Sequence, residues 1–267
     1  MPLPEPRERP RHAPLVGLLA FTSGGVDVVT LMVLGGTFTS VVTGNLIIVG
    51  RAVGTSSLSL AIHVIIAVAG YVAGVAAGSR LRQAVGRRTA QAPGSRTAQG
   101  PGHTAAQKPG PQAVQGASGA KPDSPWPWPA TLVLAAECVL LAAVNIAWIG
   151  YGAAPPAAAT DLLLAAAAVA LGMQGAAARA IKGNPSTTYM TGALTALVEA
   201  LSTGRRRDAG ASAALGLFAL VAGAACGAVL VQHARTAALL PPLASLGLVV
   251  AVKLSQHRAE RRLTRRG

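Results

Sequence analysis

At 267 residues, 51% hydrophobic and only 12% charged, with a mean hydropathy of +0.47, the chain is too apolar for an ordinary soluble domain of its size. A net charge of +14 raises nucleic acid as a partner, yet the basic residues sit in loops and tails beside apolar helices, and at 3% the aromatics are too few to stack on bases. Nucleic acid is therefore set aside, and a multi-pass membrane protein with basic cytoplasmic loops is the reading.

Taken along the chain, residues 1–14 form a basic tail with Arg7, Arg9 and Arg11. A hydrocarbon core of about 30 Å takes roughly 20 helical residues to cross. Six windows suffice: 15–34, 58–79, 131–151, 157–178, 211–232 and 236–254. The first follows basic residues as a signal peptide would. Its apolar run is too long for that, it holds Asp27, and it has no clear small-x-small cleavage site, so it reads as a retained span. Two shorter stretches, 38–54 and 186–202, are interrupted, one by Thr43-Gly44-Asn45 and the other by Thr191-Gly192.

Residues 15–80 thus hold two spans and a Thr-Gly break. Residues 81–130, rich in Gly, Pro, Ala, Gln, Ser and Arg, cannot bury enough apolar surface to offset ordering and read as a disordered cytoplasmic loop. The loop ends in PWPWP, where Trp126 and Trp128 suit an interfacial anchor ahead of the third span at 131–151. Residues 157–254 carry three spans and the second break, and 255–267 a basic cytoplasmic tail. Cys138 and Cys226 fall inside predicted spans and offer neither a disulfide framework nor metal spacing; no cofactor is expected.

The halves overlay in order. Gly25-Val26-Asp27 falls on Gly172-Met173-Gln174, Thr43-Gly44 on Thr191-Gly192, and the stretch Val72 to Gly78 on Val221 to Gly227. Three landmarks at nearly constant offset indicate an internal duplication. If both interrupted segments enter and leave on one side, six helices span, and of the 23 Lys and Arg only Arg51 and Arg235 fall outside. Eight spans would divide the charges almost evenly, so the positive-inside rule prefers six. Three spans per half make the repeats inverted. The expected fold is an all-α polytopic membrane protein of six transmembrane helices plus two short broken or re-entrant helices in two inverted repeats, with both termini cytoplasmic.

Backbone released from helical bonding inside a bilayer must be buried in protein or line a wet cavity. Thr43 and Thr191 suit N-caps for the half-helices that follow, and Gly44 and Gly192 permit close approach by a solute. Asn184-Pro185 interrupts the chain again before the second segment. Asp27, an ionisable group in mid-span, is normally kept for a partner, an ion or a proton path; Gln174 is its neutral counterpart. The structural alternative has Asp27 bonding Ser23, Thr30 or the Thr43 break. His63, Glu137 and Asn145 are weaker candidates, each favoured as an interhelical or interfacial group, and Glu199 as a local ion pair with Arg205. Gly70, Gly74, Gly78, Gly223 and Gly227 make small-residue faces for tight helix packing, with a homodimer surface as the minority alternative.

The stretches GGVDVVTLMVLGGTFTSVVTGNLIIVG and GMQGAAARAIKGNPSTTYMTGALTALVEAL resemble the two signature regions of the YoaK family, bacterial membrane proteins classed under domain of unknown function 1275. The resemblance runs over residues 17–81 and 163–232 and implies a bacterial inner-membrane protein of about six helices, with no substrate attached. The long Pro/Gly loop at 81–130 departs from the usual pattern. The residues themselves point to a secondary transporter or channel for a small polar or anionic solute or ion. Its site would be at the bilayer midplane, built from Asp27, Thr43, Gly44, Asn45, Gln174, Thr191 and Gly192. A non-transporting scaffold or accessory subunit is the alternative. No nucleophile-base, metal or nucleotide motif stands out, so an enzyme is not expected.

Overall fold

A computed structural model describes residues 12–90, 126–181, the helical positions Gly192, Leu194, Thr195, Leu197, Val198 and Ser202, and residues 207–263. Among these, all regular structure is helical: α1 (Ala13–Val33), α2 (Val42–Gly54), α3 (Leu58–Ala90), α4 (Trp128–Gly150), α5 (Ala157–Ala178), α6 (Arg207–His233) and α7 (Leu240–Leu263), with a short 3₁₀ turn (Arg235–Ala237) before α7. All but α2 are long and apolar enough to cross a membrane, and they coincide with the six expected windows.

Proline sets several starts. Pro14 and Pro129 lie in the first turns of α1 and α4, and Pro156 precedes α5 in an extended conformation. A proline there loses no helical hydrogen bond, because the first N–H groups of a helix have no partner anyway.

Three boundaries differ from expectation. Helix α3 runs on to Ala90, ten residues into the stretch read as loop. Leu81 packs on the core, and the Arg82 guanidinium donates to the Ala176 carbonyl at 3.2 Å, so tertiary contacts carry the helix past the apolar run. At the other side of that stretch, α4 starts at Trp128 rather than 131. The basic tail from 255 is likewise helical to Leu263, continuous with α7.

Contacts fix the helix directions. Gly17 lies by Leu215 and Gly227 by Val28, so α1 and α6 run parallel; Gly70 lies by Ala165 and Gly78 by Ala176, so α3 and α5 do too. Helix α7 runs against α1, with Ser245 Oγ donating to the Leu18 carbonyl (2.9 Å) at one level and Lys253 Nζ 3.0 Å from His12 Nδ1 at the other. It also runs against α4: Trp148 Nε1 donates to the Arg235 carbonyl, and Thr131 meets His257. Helices α4 and α5 pack on each other and are joined by only the six residues 151–156, so those two are antiparallel. Helices α1, α4 and α6 therefore point one way, and α3, α5 and α7 the other.

The two main crossings are built alike. A Cβ at Gly24 would fall on the Leu220 carbonyl oxygen and one at Gly223 on that of Phe21; a Cβ at Gly74 would fall on the Val169 carbonyl and one at Gly172 on that of Tyr71. In both, glycines bring helix backbones into direct contact, where small residues give packing its strength in lipid. The core between them holds Leu19, Val26, Leu134, Leu164, Leu171, Leu246 and Trp148, all essentially inaccessible.

Candidate functional site

The break between α1 and α3 starts earlier than the Thr-Gly pair. Helix α1 ends at Val33, Gly35 and Gly36 take φ of +111° and +71°, and residues 37–41 continue without helical structure into α2. Only glycine adopts such angles at little cost, so the Gly-Gly pair turns the chain. Gly35 is further constrained because a Cβ there would come within 2.8 Å of the His63 ring.

From that turn the chain folds back along α1. The Asp27 carboxylate lies six residues before the end of α1, about 9 Å below it at 1.5 Å per residue. Its Oδ1 accepts the Thr39 N–H (2.7 Å), the Thr39 hydroxyl (2.8 Å) and the Ser40 N–H (2.9 Å), while Oδ2 accepts the Ser40 hydroxyl. Four donors on a buried carboxylate satisfy it and fix residues 39–40 inside the helix bundle.

A second clamp comes from α2. Asn45 Oδ1 accepts the Phe38 N–H at 2.9 Å, and its Nδ2 donates to the Phe38 carbonyl at 2.7 Å. Gly44 leaves room for the Phe38 ring, which lies 3.0 Å from where a Cβ would be.

Thr43 is not the expected N-cap. Val41 holds that position without a side-chain hydrogen bond, and Thr43 is an exposed residue of the first turn. The expectation failed because Thr-Gly-Asn is turn-like in composition, whereas here Gly44 and Asn45 support a loop that precedes them.

Gln174, on α5, meets α1 at a different level. Its Nε2 donates to the Leu19 carbonyl (2.7 Å) and to Ser23 Oγ (3.1 Å), one helical turn below Asp27 on the buried face. Asp27 and the Gln174 amide thus meet α1 at adjacent levels, about 6 Å apart along its axis, and do not hydrogen-bond to each other. Of the hydroxyls considered for Asp27, Ser23 serves Gln174 and Thr30 donates to the Asp27 backbone carbonyl (3.0 Å); the carboxylate itself goes to the break.

Thr191, Asn184, Pro185 and Glu199 lie outside the described residues. Gly192 is helical and exposed.

Other candidates separate by their partners. His63 Nε2 pairs with Asp161 Oδ1 at 3.1 Å, joining α3 to α5. Asn145 and Glu137 are buried on α4, with Asn145 Oδ1 and both Glu137 oxygens unpartnered. Thr39 and Ser40, the residues that bind Asp27, carry no sequence signal of their own beyond the Gly35-Gly36 pair just upstream. Among the described residues, no three His, Cys, Asp or Glu side chains group closely enough to hold a metal ion.

The family model described as protein of unknown function (DUF1275) matches residues 15–252, and the chain belongs to that family. No curated protein and no solved structure matched the chain.

Proposed function

We propose that this integral membrane protein is a secondary transporter of a small polar or anionic solute, built from two inverted repeats in a bacterial inner membrane with both termini cytoplasmic. The carrying observation is the re-entrant segment 34–41, whose backbone returns to the depth of Asp27, where the Asp27 and Asn45 side chains hold Phe38, Thr39 and Ser40. A 13-residue α2 is about 20 Å long, too short to cross, and leads the chain back to the end where α3 begins.

The duplication has support in the packing. Exchanging α1 with α5, α3 with α6 and α4 with α7 carries each glycine crossing onto the other, and each helix of one half runs opposite to its counterpart. That is the arrangement in which broken helices of two repeats face one another about an axis in the membrane plane.

The chemistry follows from the donors. Thr39 N–H, Ser40 N–H and two hydroxyls form a small anion-binding nest, and Asp27 occupies it with its own carboxylate. When Asp27 is neutralised or displaced, the same donors are free for the oxygens of an anionic or polar solute. The carboxylate then acts as a plug whose release is coupled to solute binding.

The test is flux in proteoliposomes, screened over small anionic and polar solutes, for the native chain and Asp27→Asn. The variant keeps the size of the plug but not its charge. Because its amide cannot alternate between a charged plug and a neutral, released one, solute flux should be lost while folded protein remains in the membrane. Unchanged flux would make Asp27 purely structural and end this mechanism.

A scaffold role has one observation in its favour: the backbone contacts at Gly24, Gly74, Gly172 and Gly223 bind the helices into a closely packed body. That reading predicts no flux for any solute in the screen and a stoichiometric protein partner on purification.

A further inference from the structure

Asp27 has a donor for each oxygen; Glu137 has none. Glu137 lies near the middle of α4, is fully buried, and neither Oε1 nor Oε2 has a hydrogen-bond partner. The residues one turn away on its own face, Val133, Leu134 and Leu141, are buried and apolar. Asn145 is two turns further, about 12 Å along the axis, and its own Oδ1 is unpartnered. The nearby basic groups of α7 are spent elsewhere: Lys253 on His12 and Gln256, His257 on Thr131 and Glu260.

An ionised carboxylate in such a place has lost its water with nothing to replace it, which costs several kcal/mol. A bound cation or a proton would offset that loss. A metal cation takes several oxygen ligands, about six for the common divalent ions. Glu137 offers one carboxyl set among Val and Leu, which meets the requirement of a proton and of nothing larger. The surroundings agree, since Asn145 Oδ1 on the same helix and Gln174 Oε1 on α5 are also acceptors without donors. The interior is short of protons to share.

We propose that Glu137 is a proton-binding site in the core of the bundle, loaded in the conformation described here and exchanging its proton with water when the helices around α4 separate. The proton comes from solvent and returns to it, and no other bond is made or broken. Its use to drive solute movement rests on the transport reading above; the site itself does not.

Infrared spectroscopy of the purified full chain in micelles of an ester-free detergent tests this directly. A neutral carboxylic acid has a carbonyl stretch resolved from the amide bands. The native protein should show it, Glu137→Gln should lose it, Asp27→Asn should keep it, and it should disappear reversibly as pH is raised. Absence of the band, its persistence in Glu137→Gln, or its constancy up to the pH of unfolding would overturn the proposal.

Should Glu137→Gln fail to fold, dicyclohexylcarbodiimide, an apolar reagent that adds to protonated carboxyls, can be applied to the native chain in membranes. An adduct on the α4 peptide supports the site, and a peptide left unmodified at saturating reagent overturns it. Loss of flux in Asp27→Asn is a separate readout, so failure of the proton site and failure of the transport reading are distinguishable.

Discussion

Asn45 presents both edges of one amide to the backbone of Phe38, accepting its N–H and donating to its carbonyl. Two backbone groups that have no helical partner are thereby satisfied. Replacing Asn45 with Leu keeps the volume and removes both bonds. Leaving a buried polar group unpaired costs about 1–3 kcal/mol, so Asn45→Leu should lose at least that much in unfolding experiments on the purified protein, with Thr43→Val at the exposed neighbouring position close to neutral. Equal stability of the two variants would show that the Phe38 clamp contributes nothing. The sequence drew attention to Asp27 and Asn45 for sound reasons, a charge in a span and a turn residue in an apolar run. It could not show that their partners are Thr39, Ser40 and Phe38, because those contacts depend on a chain reversal that one Gly-Gly pair produces. Glu137 was equally visible as a residue, but being without a partner is a property of three dimensions.

Helices were the most legible level, since a run of about 20 apolar residues has few alternatives in a bilayer. Their ends were less so: α3 and α7 continue through charged residues because Leu81 and Lys253 reach back to the bundle. The duplicated Val-Ala-Gly motifs in α3 and α6 told more than hydropathy did, because they mark the two crossings where carbonyls meet glycine. Glycines within one helix should therefore differ sharply. A Cβ at Gly223 meets the Phe21 carbonyl, whereas one at Gly216 meets nothing within 4 Å. Gly216→Ala should be neutral or stabilising by up to about 1 kcal/mol through helix propensity, and Gly223→Ala should destabilise by about 1–3 kcal/mol as α1 and α6 are forced apart. Thermal unfolding in detergent compares the two directly, and a similar effect at both sites would contradict the crossing.

At the scale of the molecule, charge and helix direction agree without either having been used to obtain the other. Helix directions rest on contacts such as Gly17 with Leu215 and Lys253 with His12. They bring Arg80, Arg82, Arg87, Arg88, Arg179, Lys253, Arg258, Arg261 and Arg262 to the end that also holds the start of α1, and they leave Arg51 and Arg235 at the opposite end. That basic end is tied together by aromatic contacts as well. Lys253 Nζ lies 4.4 Å from the Trp126 ring centre, the Arg261 guanidinium 5.1 Å from that of Trp128, and His12 meets Trp126 edge to face. Indole rings and long cations in one layer suit a headgroup interface, and a cluster of Lys and Arg is retained on the cytoplasmic side during insertion. In a chain with Cys138 and Cys226 replaced by Ala, a single Cys at exposed position Arg88 or Arg258 should then resist a membrane-impermeant thiol reagent in intact cells and react after permeabilisation. A single Cys at Arg51 should react in intact cells without permeabilisation. Labelling of Arg258 and Arg51 positions from the same side would require α7 to run opposite to the direction its contacts give. The facing repeats, and with them the re-entrant segment as an outward-opening feature, would not survive that result.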